Sequence, residues 1–269
     1  MDIIERFISY TKIDTTSSET ADTTPSTPNQ FILARQLEGE LKQLGITDAR
    51  VADNCFVYGT LEANDPDKHD VIGLLAHMDT SNATSGADIR ARVIENYDGG
   101  DIELSEGIWT RAADYPDLAR FKGKSIVVSD GTTLLGADDK AGIAIIMDFL
   151  QKCQEDSSIR HGKIMIAFTP DEEIGLGISH IDLNQFHPDY AYTIDGGEVE
   201  LVEYECFNAA QATVDFHGVS IHPGSAKGRM INAIQLAMDF HGMLPVFDRP
   251  EFTEGTEGFN HILSLEGSC

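Results

Sequence analysis

One histidine and a series of carboxylates stand where short apolar segments run out: His77-Met78-Asp79, Asp138-Asp139-Lys140, Asp171-Glu172-Glu173 and Asp195-Gly196-Gly197. Imidazole nitrogen and carboxylate oxygen converging on one place suit a hard-to-borderline divalent metal. The chemistry on offer is metal-dependent hydrolysis. In an extended backbone, residues i and i+2 point to the same side. His77 therefore binds a metal while Asp79 orients it from behind; an isolated His-x-Asp is also what a core-edge histidine paired with an acid looks like. Asp138 and Asp139 lie between Gly136 and Gly142. A helix cap accounts for one aspartate, but the adjacent pair needs a compensating cation, and a carboxylate there can bridge two ions. Glu172 and Glu173 diverge from neighbouring backbone positions, so one serves as ligand and the other as general base. Read alone, they are an acidic turn. Asp195 is a fourth candidate ligand or, alone, a turn aspartate.

These groups need a scaffold. Residues 71–76, 163–169 and 190–194 read as short buried strands, and Asp138 follows a glycine turn and opens a helix. Residues 2–11 carry Ile3, Ile4, Phe7 and Ile8 at helical spacing. A Ser/Thr-rich loop, 15–28, delivers a second helix from about Asn29 to Gly45, with Phe31, Leu37, Leu41 and Leu44 inward. From Ala141 to Leu150 a third helix turns Ala144, Ile145, Phe149 and Leu150 to a sheet. Strands alternating with helices predict an α/β fold with a mostly parallel central sheet flanked by helices on both sides. In such sheets ligands bind outside the carboxyl ends of the strands. Beyond residue 205 the pattern changes. Ala212, Val214 and Phe216 alternate with Thr213 and Asp215 as a strand with one wet face, His222 sits in a glycine-rich turn, and a helix runs from about 228 to 241. The boundary divides the chain into 1–205 and 206–269. Residues 262–265 read as the middle of a strand, and Ser268-Cys269 supplies no cap, so the sequence reads as cut off at its C-terminus.

Acidic residues number 45 against 19 basic ones, a formal charge of −26. That balance repels nucleic acid and anionic membrane surfaces, and no apolar run is long enough to span a bilayer. Cys55, Cys153, Cys206 and Cys269 have no CxxC spacing, which speaks against a cysteine zinc site. Unpaired cysteines and the absence of a signal-like opening point to the cytoplasm.

The stretches Ala76-His77-Met78-Asp79-Thr80, Glu95-Asn96-Tyr97-Asp98-Gly99-Gly100-Asp101-Ile102, Leu134-Leu135-Gly136-Ala137-Asp138-Asp139-Lys140 and Thr169-Pro170-Asp171-Glu172-Glu173 resemble the M20 metallopeptidase family, and in particular its tripeptide aminopeptidases. The resemblance runs over the whole chain. It implies an α/β zinc-hydrolase catalytic domain with an inserted α+β lid and dimerisation domain, both incomplete within these residues. It implies two zinc ions per full-length subunit: His77 and Asp195 on one, Asp138 bridging, and Glu173 on the second. Glu172 is then the general base, Asp79 the support of His77, and the peptide before Asp139 a position often cis. His222 reaches the active site of a partner subunit in a homodimer and binds the substrate's developing oxyanion. A histidine that completes the second zinc in the family has no counterpart; neither His241 nor His261 sits in a matching motif.

The implied activity is release of the N-terminal residue from tripeptides by a zinc-activated water. Another M20-type amide hydrolase (dipeptidase, carboxypeptidase or deacylase) is the nearest alternative, and a catalytically inactive metal-binding module is the alternative for the chain as it stands. With one full ligand set and part of another, residues 1–269 alone are expected to bind at most one metal tightly, to be poorly soluble and to cleave no tripeptide. A two-metal phosphatase shares the ligand chemistry, but the sequence has no phosphate-binding glycine loop.

Overall fold

The computed structural model describes residues 1–197, 199 and 201–267; Ser268 and Cys269 lie outside the described residues. The chain divides into two compact units, Met1–Leu201 and Val202–Cys269. In chain order the first unit contains α1 (Ile3–Thr11), α2 (Gln30–Gln43), β1 (Arg50–Val51), β2 (Val57–Leu61), β3 (Ile72–His77), β4 (Arg92–Ile94), β5 (Ile102–Ser105), β6 (Ile108–Thr110), β7 (Ile126–Val128), α3 (Ala137–Glu155), β8 (Ile164–Thr169) and β9 (Tyr190–Thr193).

A five-stranded sheet runs β1-β2-β8-β3-β9, with β4-β7 and β5-β6 as separate two-stranded ribbons. The sheet is mixed. β1-β2 and β2-β8 are antiparallel, whereas β8, β3 and β9 run parallel, and that parallel half carries the candidate site. β8 is buried at every position, which its unbroken apolar run IMIAFT foreshadows. Side chains alternate across a strand, so Ile164, Ile166 and Phe168 meet the helices while Met165 and Ala167 face the other way.

On the first face α1, α2 and α3 share one core, with Phe7 and Tyr10, Leu33, Leu37 and Leu41, and Ile143, Ile146, Met147 and Leu150. Asp2 caps α1 by accepting the Ile4 N–H at 2.9 Å. On the opposite face, Phe56, Tyr58 and Leu75 are covered by Phe186 and Ile181. There the chain between β8 and β9 forms a 3-10 turn (Gly177–His180) and loop, rather than the flanking helix that the alternation predicts.

Several expected details differ. Ile145 is 48% exposed, because the core-facing stripe of α3 runs through Ile143, Ile146 and Met147 and leaves Ile145 on the solvent side. β9 is exposed at all four positions rather than buried; it pairs only with β3 among the described strands, as an edge. In the second unit, residues 212–216 and 262–265 are irregular. A strand needs a hydrogen-bonded neighbour, and among the described residues of that unit the only pairing is an isolated bridge, Val219↔Ile231. The helix there is α4 (Ala233–Met243), which begins later than the pattern predicts because Asn232 caps it, accepting from the Gln235 N–H at 3.2 Å. No helix among the described residues is long and apolar enough to cross a membrane.

Candidate metal centre

Strand register brings the acids together. In the parallel β3-β8 pair His77 lies opposite Thr169, so the segments that follow, to Asp79 and to Asp171-Glu172-Glu173, leave the sheet side by side. Leu75 lies opposite Thr193 of β9, and the Ile194 N–H still bonds the Leu75 carbonyl at 2.8 Å. Asp195 therefore emerges beside His77. The cluster forms where ligand sites form in α/β sheets, past the carboxyl ends of parallel strands.

His77 is the centre of the group, its side chain 2% exposed. Its Nε2 lies 2.8 Å from Asp138 Oδ1, 3.7 Å from Asp195 Oδ2 and 3.9 Å from Glu172 Oε2. Its Nδ1 lies 2.9 Å from the Asp79 carbonyl and 3.4 Å from the Asp79 carboxylate. That pairing aims Nε2 outward, the arrangement in which a second group fixes the orientation of a ligating imidazole. Fully buried Asp79 also takes the backbone N–H groups of Glu172 and Glu173, at 2.9 and 3.1 Å. One carboxylate thus orients both the histidine and the paired glutamates.

The adjacent aspartates divide their work. Asp138 is 70% exposed and reaches His77. Buried Asp139 turns inward and accepts the N–H groups of His77 and Gly142, both at 3.1 Å. It closes the first turn of α3 and pins the end of β3 together. The Asp138–Asp139 peptide is cis, as the family resemblance implies. Gly142 is required by close approach: a Cβ there would collide with the Ile194 carbonyl and the Asp139 carboxylate. Gly142→Ala is expected to cost about 1–3 kcal/mol, the range for overpacking, read as a lowered urea midpoint.

Ligand atoms of His77, Glu172 and Asp195 lie within 4.8 Å of one another, as do those of His77, Asp138 and Glu173. Both sets combine an imidazole with carboxylates, donors that fit a divalent metal of the zinc type. Charge crowding supports the fit. Burial raises the pKa of Glu172, and nearby Asp195, Asp79 and Asp138 add to it against the opposing pull of His77. Burial likewise raises Glu173, with Asp138 the next cause, and raises Asp195, where His77 opposes and Asp138 adds. Burial lifts Asp139 to about 8 although His77 and two backbone N–H groups favour its charged form. Burial alone would lower His77, but Asp79, Asp139 and Asp195 outweigh it and hold its pKa at about 10.

For His77, raised above its ordinary 6.5, the stabilising protonated form is fully present below that value and is lost as pH rises toward about 10. For Asp139, also raised, the contribution is present below 3.8 and lost as pH rises through about 8. Protons hold the metal-free cluster together at low pH, so a metal must displace them. Zn²⁺ titrated into metal-free protein at pH 7 is expected to release at least one proton and to bind more tightly as pH rises. Calorimetry in buffers of different ionisation enthalpy measures this, and a heat independent of the buffer would contradict it.

Two residues of these motifs have no role assigned by the sequence. Lys140 is fully buried behind the cluster and donates to the Ile13 carbonyl at 2.7 Å; burial lowers its pKa to about 8 against the pull of Asp14 and Asp79. Asp171 is fully buried and faces the 15–28 loop. Its signal was its place as first acid of three at a strand end. His222 belongs to the second unit, is exposed, and accepts the Gly224 N–H on Nδ1 at 3.1 Å.

A histidine ringed by carboxylates at the ends of parallel strands is the site of a metallopeptidase-like α/β protein. Comparison with known proteins narrows that class. Residues 204–265 match the M20 peptidase dimerisation domain and residues 114–218 match the M42 glutamyl aminopeptidase family. The chain is 47% identical over 268 residues to peptidase T of Caldanaerobacter subterraneus, covering 99% of this chain and 66% of that protein. It is 49% identical over 269 residues to peptidase T of Geobacillus kaustophilus, with the same coverage. With peptidase T of Shouchella clausii it shares 50% identity over 268 residues, 100% of this chain and 65% of that one. Its fold resembles the crystal structure of aminopeptidase PepT from Bacillus cereus, with a TM-score of 0.57 at 22% identity over 90% of this chain and 56% of that one. It also resembles a tripeptidase from Staphylococcus aureus, with a TM-score of 0.59 at 21% identity over 94% and 57%. The chain belongs to the peptidase T family, and it spans about two thirds of the length of these relatives.

Proposed function

We propose that this chain carries the metal centre and the start of the dimerisation domain of a zinc-dependent tripeptide aminopeptidase. The observation that carries the reading is the convergence of two candidate ligand sets on His77, one with Glu172 and Asp195 and the other with Asp138 and Glu173. We assign His77 and Asp195 to one zinc, Asp138 to a bridging position and Glu173 to a second zinc, with residues 1–205 as the catalytic part and 206–269 as the lid and dimerisation part. A divalent metal held there supplies Lewis acidity toward a scissile carbonyl and toward an attacking water.

The residues of the chain do the rest. Glu172, with a pKa moved up toward neutrality, takes the proton of the attacking water and returns it to the leaving amine. Asp79 holds His77 and the Glu172-Glu173 backbone in register. Asp139 holds the start of α3 against β3. His222 of the partner subunit in a homodimer stabilises the oxyanion, a role supported by the dimerisation-domain match. We place the protein in the cytoplasm on the free thiols of Cys55, Cys153 and Cys206.

The test is a substrate panel on the gene product containing these residues, with and without chelator. Release of the N-terminal residue from free tripeptides, abolished by chelation, is expected. Preference for dipeptides or N-acyl amino acids would instead favour another amide hydrolase of the M20 type. The trans role of His222 has its own check. Equal mixing of inactive Glu172→Gln and inactive His222→Ala subunits is expected to restore roughly a quarter of wild-type activity, because half the dimers are mixed and each has one intact site. No recovery, with mixed dimers shown to form, removes His222 from the partner's site.

A further inference from the structure

Glu172 and Glu173 follow a residue that the chemistry above does not use. Asp171 sits at φ +55°, in the left-handed region that non-glycine residues seldom occupy. The turn it makes, just past the end of β8, sends the Glu172 and Glu173 N–H groups back to Asp79. Its fully buried carboxylate faces neither candidate ligand set. Instead it accepts the Ser26 N–H at 2.7 Å, the Ser26 hydroxyl at 2.6 Å and the Gln30 side-chain amide at 2.7 Å. Gln30 also takes the Asp171 N–H at 3.3 Å through its own carbonyl oxygen.

The donors are themselves anchored. Ser26 accepts the Ser18 N–H at 2.9 Å, and the Thr27 hydroxyl donates to the Thr16 carbonyl at 2.8 Å. The Ser17 N–H bonds the Thr80 carbonyl at 3.0 Å, and the Thr80 N–H bonds the Thr15 carbonyl at 3.2 Å. The same loop therefore grips the segment that follows His77 at the end of β3 and carries Asp79, and the turn after β8, which carries both glutamates.

We infer that the 15–28 loop and the head of α2 form a strap that sets the geometry of the metal centre, with Ser26 and Gln30 as positioning residues acting through Asp171. The inference rests on the metal-centre reading proposed above. The Glu172-Glu173 turn is held from two sides, by Asp79 beneath and by Ser26 and Gln30 behind. Loss of the rear hold frees the turn to drift, which moves a ligand and the base together. Outer partners of this kind typically change metal affinity about 10–100-fold when removed.

The test is titration of the purified, metal-free full chain with Co²⁺, read by visible d–d absorption and calorimetry, with urea unfolding of each metal-free variant alongside. Ser26→Ala and Gln30→Met are expected to weaken Co²⁺ binding roughly 10–100-fold and to alter the d–d spectrum. Ser26→Thr, which keeps the hydroxyl, is expected to restore both. Asp171→Asn is expected to behave like Ser26→Ala, and the double variant no worse than Asp171→Asn alone. A merely structural strap would lower the urea midpoint and leave affinity and spectrum of the folded variants unchanged. That result, with Glu173→Gln weakened as a ligand loss should be, overturns the strap while leaving the metal centre intact. Co²⁺ binding that is absent in wild type, or indifferent to Glu173→Gln, overturns the metal-centre reading and the strap with it.

Discussion

In the gene product containing these residues, Glu172→Gln is expected to keep its metal and to lose about 10²–10⁴ of turnover, the usual contribution of a general acid–base group. The substitution keeps shape and size. The Glu172 N–H remains held by Asp79 at 2.9 Å, so the turn has no reason to move. What disappears is the ability to accept a proton. The side chain is 54% exposed, with Oε2 3.9 Å from His77 Nε2. It can therefore reach both the ligand cluster and a substrate arriving from solvent. Its raised pKa, from burial first and neighbouring carboxylates next, moves it toward the working pH of a base that must later act as an acid. A competing arrangement exists in the same geometry, since Glu172 falls within 4.8 Å of His77 and Asp195 as a possible ligand. Metal analysis separates the two. Full metal with turnover below about a hundredth of wild type fits the base; metal lost in proportion to activity makes Glu172 a ligand, and turnover above that level with metal retained removes the base assignment.

The legible part of this molecule is the part written in local pattern. β3 and β8 are apolar runs ended by chemistry-bearing residues, and α1, α2 and α3 follow helical periodicity, with Gly45 as the stop after α2. The candidate donors were visible because histidine and paired acids at strand ends are costly without a cation. The anchoring of those donors was not visible, because it is tertiary. Asp139 finds the His77 N–H 62 positions away, and Asp171 finds Gln30 141 positions away. Nothing local distinguishes an acid that binds a metal from one that takes backbone N–H groups. Strand direction was equally hidden, since β2 has the same pattern whether it pairs with β8 parallel or antiparallel. Beyond residue 205, alternation alone predicts a strand at 212–216, and no partner strand stands beside it among the described residues.

Asp138→Ala is expected to deplete both metal positions, whereas His77→Ala empties one. Asp138 Oδ1 lies 2.8 Å from His77 Nε2, its carboxylate adds to the raised pKa of Asp195 on one side and of Glu173 on the other, and its side chain is open to solvent. A carboxylate so placed can give one oxygen to each of two ions, the arrangement of two-metal hydrolytic sites. His77 has a single outward nitrogen, because Nδ1 is engaged with Asp79, and one nitrogen lone pair serves one ion. The grouping by distance places His77 in both ligand sets, so the two readings part company on a measurable quantity. Zinc counted per folded chain, after equilibration at matched free metal, is expected to fall further in Asp138→Ala than in His77→Ala. Equal and complete loss in both variants would make His77 the shared ligand and Asp138 a ligand to one ion only. Unchanged zinc in Asp138→Ala would take Asp138 out of the centre and leave its exposed carboxylate without a role in binding.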